Sequence, residues 1–220
     1  GSTDIAGAMA LGETWFKVPP SIRVELTGKL DKHVGAKDLM LKLIGEISVS
    51  GALYKALEFG GPLASELDVE GRMTMSNMAI EAGGKVGLFP ADAKTLAYAK
   101  QAGHGATQEI YADEGATYER TVTIDATGMS PQISCPHSPD NVKPVEEVGN
   151  VKLDQVVIGS CTNGRISDLR VAAEIVKGHK VAKNLRFIIL PATPAIWKQA
   201  LKEGLIETFM EVGGIVGPAT

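Results

Sequence analysis

The chain is poor in cysteine, histidine and aromatic side chains, with two cysteines, four histidines and 5% aromatics in 220 residues. Two cysteines, Cys135 and Cys161, are too few for a disulfide framework, so reduced thiols are expected. No apolar run approaches the roughly 20 residues that span a bilayer, and the longest pure runs are short, such as residues 187–190. A membrane partner is therefore not expected. The net charge of −4 comes from interspersed acids and bases with no Lys/Arg block, which argues against a dedicated nucleic-acid surface. Gly213-Gly214 and Gly217 lack the Lys-Ser/Thr end of a phosphate loop, so nucleotide binding is not expected either. The chain opens at Gly1 without a basic, then apolar, signal-like stretch, and a cytoplasmic location follows as the expectation.

What is present is a pattern of short apolar stretches punctuated by glycine and proline. Residues 21–30 alternate apolar and polar side chains after Pro19-Pro20 and predict a half-buried strand. Helical spacing follows over 36–47, a strand over 52–59, a helix over 68–82 ended by Gly83-Gly84, and a short strand over 86–89. Residues 92–102 predict a helix, and 117–125 alternate as a strand at a sheet edge or solvent face. Pro131, Pro136, Pro139 and Pro144 mark 128–150 as a linker between an α/β domain over 1–127 and a second over 151–220. The second reads strand (153–159), helix (165–177), strand (185–190), helix (194–203) and helix (205–210), an alternation that implies βαβ units and a parallel sheet.

One stretch carries more chemistry than any other. Val156, Val157 and Ile158 run into Gly159-Ser160, and Cys161-Thr162-Asn163-Gly164 follows before the next helix. This places a thiol at the carboxyl end of a parallel strand, where open α/β sheets bind ligands. A thiolate near a helix amino terminus is stabilised and can ligate a metal or attack a carbonyl. A buried cysteine acting as a small hydrophobe is the plainer alternative, and polar Ser160, Thr162 and Asn163 weigh against it. A nucleophile needs a base, yet His33, His104, His137 and His179 all lie in loop-like or glycine-flanked contexts and read as solvated. A second constellation lies at 71–87, where Asn77 and Glu81 fall at i and i+4 while Met73 and Ile80 can serve the core. A solvated helix face explains that spacing equally well. Cys135 and His137 have a Cys-x-His spacing, but flanking prolines and the want of further ligands make it a weak metal site.

Three segments, IGSCTNGRISDLR (158–170), GRMTMSNMAIEAGGKVG (71–87) and GSTDIAGAMALGETWFKVP (1–19), with PQISCPHSPDN (131–141) beside them, resemble the aconitase superfamily. The likeness is to the large subunit of its two-subunit isopropylmalate isomerase (3-isopropylmalate dehydratase) and homoaconitase group, and it covers essentially the whole chain in order. It implies α/β architecture of three-layer α/β/α domains with parallel or mixed sheets, truncated at both ends. It implies that Cys161 is one of three cysteine ligands of a 4Fe-4S cluster whose fourth iron acts as a Lewis acid on the substrate. Asn77 resembles the cluster-side asparagine of the family, and Glu81 its active-site glutamate, which pairs there with a histidine from an earlier segment. The implied reaction is a hydro-lyase isomerisation, 2-isopropylmalate to 3-isopropylmalate first and homocitrate or homoaconitate next, a step of leucine biosynthesis in the first case. The implied partner is a separate small subunit, in a heterodimer or heterotetramer, that supplies a serine base and most of the substrate selectivity.

The chain departs from the family pattern in lacking two cluster cysteines, a Cys-x-x-Cys expected just after Thr220, and the histidine- and aspartate-bearing segments expected before Gly1. An internal fragment, inactive alone, is therefore expected, and Cys135 matches no cluster ligand. A cluster-free binding or subunit-interaction module is the alternative. A cysteine-nucleophile hydrolase ranks last for want of a base.

Overall fold

The structure, a computed structural model, describes residues 2–103 and 108–219. Gly1, His104 and Thr220, which enter the reading above, lie outside the described residues. Helix α1 (Ser2–Leu11) buries none of its residues. Past the Pro19-Pro20 break, alternation in β1 (Ser21–Thr27) puts Ile22, Val24 and Leu26 fully inside, with Arg23 and Glu25 on the opposite side. Helix α2 (Ala36–Ile47) starts where Asp38 accepts from the Gly35 N–H at 2.8 Å, and it buries Leu39, Met40, Leu43 and Ile44. Strand β2 (Ala56–Gly60), the short helix α3 (Pro62–Glu66) and helix α4 (Val69–Asn77) follow. A 3₁₀ turn (Met78–Ala82), β3 (Val86–Leu88), α5 (Ala93–Gln101) and β4 (Arg120–Asp125) complete the first unit.

These four strands are parallel, in the order β3-β2-β1-β4, with β4 at an edge as its alternation predicts. One sheet face packs Ile22, Val24, Leu57, Phe59 and Ile124 against Leu39, Leu43 and Met75 of the helices. Each such side chain contributes about 1.5–3 kcal/mol through removal from water. The opposite face carries charge instead. Arg23 bonds Glu25 at 2.7 Å and Glu58, its partner in register, at 2.9 Å, and the Tyr118 hydroxyl donates to Glu58.

Residues 128–150 form an antiparallel hairpin, β5 (Gln132–Ser134) with β6 (Val142–Pro144). The hairpin lies on α2, where the Gln132 N–H donates to Asp38 at 2.7 Å and Val142 packs on the first core. The second unit runs β7 (Gln155–Gly159), a single helical turn α6 (Ser160–Asn163), α7 (Ile166–Val176), β8 (Arg186–Leu190), α8 (Pro194–Lys202), α9 (Leu205–Glu211) and β9 (Ile215–Val216). Its sheet, β7-β8-β9, is again parallel. Leu169, Phe187, Ile189, Ala200, Ile206 and Phe209 form a second core.

Two predicted elements differ in detail. The strand expected over 52–59 begins only at Ala56, because Tyr54 takes a left-handed φ of 58° and the chain turns there. The helix expected over 68–82 is α-helical only to Asn77. Beyond it the tighter 3₁₀ winding aligns residues three apart, so Ala79 and Ala82 both enter the core while Ile80 is left 68% exposed. Ile80 does not serve the core, and Asn77 and Glu81 do not share one α-helical face.

Ion pairs fasten the helices at their ends. Arg72, only 4% exposed, bonds Asp92 at 2.8 Å and also Thr95 and the Ser65 carbonyl, joining α4 to α5 and α3. That guanidinium holds the Asp92 carboxyl well below the usual carboxylate range. Arg170 of α7 likewise pulls Glu203, at the end of α8, down to about 2. Both folded pKa values are depressed, so their contribution is complete above the unfolded carboxylate values of about 4 and is lost as pH falls below them. The urea midpoint is therefore expected to hold level from pH 7 to about 5 and to drop between about 4 and 2, with Glu203→Gln flattening part of that slope. A midpoint insensitive to pH over the lower interval would contradict the pairing.

Candidate active site

Helix α4 is set by Asp68, whose side chain accepts from the Gly71 N–H at 2.7 Å and caps its first turn. Its inner side buries Arg72 and Met75. Glu70, Thr74 and Asn77, at i, i+4 and i+7, form a polar stripe; Thr74 and Asn77 meet the cysteine turn and Glu70 the first turn of α7 that follows it. The Ser167 N–H donates to Glu70 at 3.2 Å and the Ser167 hydroxyl bonds the same carboxylate. The Thr74 hydroxyl donates to the Thr162 carbonyl at 2.8 Å. Asn77 Oδ1 accepts from the Thr162 hydroxyl at 2.7 Å and from the Cys161 thiol at 3.7 Å.

The cysteine segment is shaped by the two glycines that bracket it. Gly159, at φ 120°, and Gly164 lie against the end of β8, where an added Cβ would come within 1.9 Å of the Leu190 carbonyl oxygen and 2.7 Å of the Ala192 nitrogen respectively. Ser160 is left-handed at φ 69°, and its hydroxyl accepts from the Cys161 N–H at 2.7 Å. Cys161 is exposed. The Ser160 hydroxyl beside it, aided by Thr162 and Asn77, pulls its thiol below the ordinary cysteine range. The expected cause was a helix amino terminus. The turn here has only four residues and α7 begins at Ile166, so neighbouring side chains supply that effect.

Behind the turn, Asp168 accepts from the Arg165 N–H at 3.0 Å and from the Asn163 amide at 3.1 Å. Burial pushes its carboxyl up, and Glu70 adds to the push. Among the described residues, four buried side-chain N or O atoms have no hydrogen-bond partner, and three of them belong to Glu81, Asn163 and Arg165. Buried polar atoms are nearly always paired. These three and the fourth, Arg72 Nε, all lie in the two motifs.

Cys161 and Asn77, named from the sequence, are thus brought together. Glu81, in the 3₁₀ turn, shares no hydrogen bond with either among the described residues, and its Oε2 is buried and unpaired. Cys135 is half-buried at the end of β5, where its N–H donates to the Asn141 carbonyl. His33, His137 and His179 are exposed, as solvated histidines are. Among the described residues no three His, Cys, Asp or Glu side chains converge as a metal site. An exposed thiol bonded to a hydroxyl and an amide suits one ligand of a cluster and cannot hold one alone. Sequence reasoning missed Glu70, Thr74 and Ser167; the signal for the first two was their α-helical spacing with Asn77.

Comparison with known proteins identifies the scaffold. The aconitase family (aconitate hydratase) profile matches residues 1–150 and 142–219. The chain belongs to the aconitase family. It is 70% identical over all 220 residues to the 3-isopropylmalate dehydratase large subunit of Nitratidesulfovibrio vulgaris (strain Miyazaki F), of which it spans 52%. It is 51% identical over 222 residues to 3-isopropylmalate dehydratase large subunit 1 of Pyrococcus abyssi, again spanning 52%. The chain therefore spans about half the length of these aconitase-family relatives. The crystal structure of Thermococcus kodakaraensis aconitase X (holo-form) superposes on 92% of this chain and 44% of that one, with a TM-score of 0.52 at 16% identity. That last likeness supports the α/β fold with parallel sheets.

Proposed function

We propose that this chain is part of the large subunit of an iron–sulfur hydro-lyase that isomerises a hydroxy acid by dehydration and rehydration. Isomerisation of 2-isopropylmalate to 3-isopropylmalate, in leucine biosynthesis in the cytoplasm, is the preferred reaction, and homocitrate or homoaconitate the next. The observation that carries this reading is the Cys161 thiol held beside the Asn77 amide, in a family whose close relatives bear that enzyme's name. A bound 4Fe-4S cluster would supply Lewis-acid assistance to the departure of the substrate hydroxyl. Cys161 would hold one iron of it, and Asn77 would orient groups beside that thiolate. Glu81, with a buried oxygen free of partners, would carry a proton to or from the substrate. Residues 1–127 and 151–220 act as two α/β domains joined by the hairpin segment. The remaining ligands lie elsewhere in the full-length large subunit, and a separate small subunit, in a heterodimer or heterotetramer, completes the substrate pocket.

The test uses the full-length protein reconstituted with ferrous iron and sulfide in the absence of air. About four irons per chain and the visible absorbance of a cluster are expected, with both lost in Cys161→Ser. Unchanged absorbance in that variant would sink the ligand assignment. A wild-type protein that takes up no iron would favour the cluster-free interaction module instead.

A further inference from the structure

We propose that Thr74 is a positioning residue of this site: its hydroxyl, donated to the Thr162 carbonyl, fixes the Ser160–Asn163 turn on α4 and so sets where the Cys161 sulfur stands against the Asn77 amide. A threonine inside a helix ordinarily bonds a carbonyl of its own preceding turn. Thr74 instead reaches a carbonyl 88 residues away in sequence, at 2.8 Å. It is 3% exposed, so its hydroxyl would be left buried and unpaired if this bond were lost. The recipient also needs it. A single helical turn leaves its carbonyls without partners of its own, and α6 comprises only Ser160–Asn163.

The neighbouring links cannot do the same work. The contacts from Thr162 and Cys161 to Asn77 are at exposed positions, and the thiol contact is long at 3.7 Å. The link from Glu70 reaches Ser167, in the first turn of α7, rather than the turn that holds the cysteine. Of the three members of the α4 stripe, Thr74 alone is buried and alone grips the backbone of α6. Its consequence for a cluster rests on the function proposed above, whereas its control of the turn does not.

The test compares wild type, Thr74→Val and Thr74→Ser in the full-length protein. Valine keeps the branched shape without the donor, and serine keeps the donor. In the metal-free form, amide hydrogen exchange of the peptide covering 157–165 is expected to quicken roughly five- to tenfold in the valine variant, the effect of one lost neutral hydrogen bond. Peptides covering β1 and β2 are expected to keep their wild-type rates, and serine to restore the peptide. In reconstituted protein, cluster absorbance under a chelator is expected to decay faster by a similar factor in the valine variant and at the wild-type rate in the serine variant. Equal exchange in wild type and Thr74→Val, equal loss in both variants, or quickened exchange throughout β1 and β2 would each overturn the proposal. If the wild-type protein takes up no iron, the cluster reading fails and the exchange data still decide the role of Thr74.

Discussion

Alanine at position 159 is expected to unfold the second α/β unit while leaving the first intact. Gly159 sits at φ 120°, ψ −136°, a region that only glycine populates readily and that costs another residue about 1–3 kcal/mol. The added Cβ would also fall 1.9 Å from the carbonyl oxygen of Leu190, which is its partner in register across β7 and β8. No side chain can swing aside to relieve a clash with backbone; the strands must part. A unit of this size has about 0.05–0.15 kcal/mol of stability per residue to lose, so strain and broken pairing together exhaust most of it. Trp197, whose indole N–H donates to the Gly217 carbonyl at 3.2 Å, reports on this unit in a Trp15→Phe background. In Gly159→Ala its emission is expected at the unfolded wavelength without denaturant. Ser160→Gly relieves a left-handed residue, and its stability is expected to stay within about 1 kcal/mol of wild type. A Gly159→Ala protein that melts like wild type would mean the turn does not lie against β8.

How much of this was legible in the sequence depended on whether a local rule decided the outcome. Alternation over residues 21–27 placed β1, and the short apolar run at 187–190 within the strand–helix succession of the second unit placed β8. The alternation of 117–125 pointed to a sheet edge or solvent face, and β4 lies at the edge. Local rules failed where tertiary packing chose the conformation. The run from Asp68 to Ala82 looks like one helix, but packing Ala79 and Ala82 on the same side winds its end into a 3₁₀ turn. The hairpin of 132–144 is held by Asp38, ninety-four residues before Gln132 in sequence, and no window over the proline-rich stretch contains that partner. For the site, the strand-turn-helix grammar and the family motif located Cys161. What the turn with the thiol rests on is the pair Thr74 and Asn77 on a different helix, with Glu70 tying down the start of α7 beside it. Their spacing was visible, but its meaning required knowing what α4 faces.

Glu81→Gln in the full-length protein is expected to lower kcat by about 10²- to 10⁴-fold, the range for removing a general acid or base, while cluster absorbance and iron content stay at wild-type levels. Glu81 Oε2 is buried and has no hydrogen-bond partner among the described residues. An unpaired buried oxygen costs about 1–3 kcal/mol, so a purely structural carboxylate would be better placed elsewhere. Glutamine keeps the length and an acceptor oxygen but cannot take up or release the proton. The substitution is isosteric, so thermal stability is expected within about 0.5 kcal/mol of wild type. On the proposed function, Cys161→Ser is expected to lose absorbance together with activity, and Glu81→Gln activity alone. The two variants thereby separate holding the cluster from moving the proton. A kcat within about threefold of wild type would show that the Glu81 proton is not used, since even a modest general-acid contribution exceeds that factor. A parallel fall in stability would instead assign Glu81 to packing of the 3₁₀ turn against the first core.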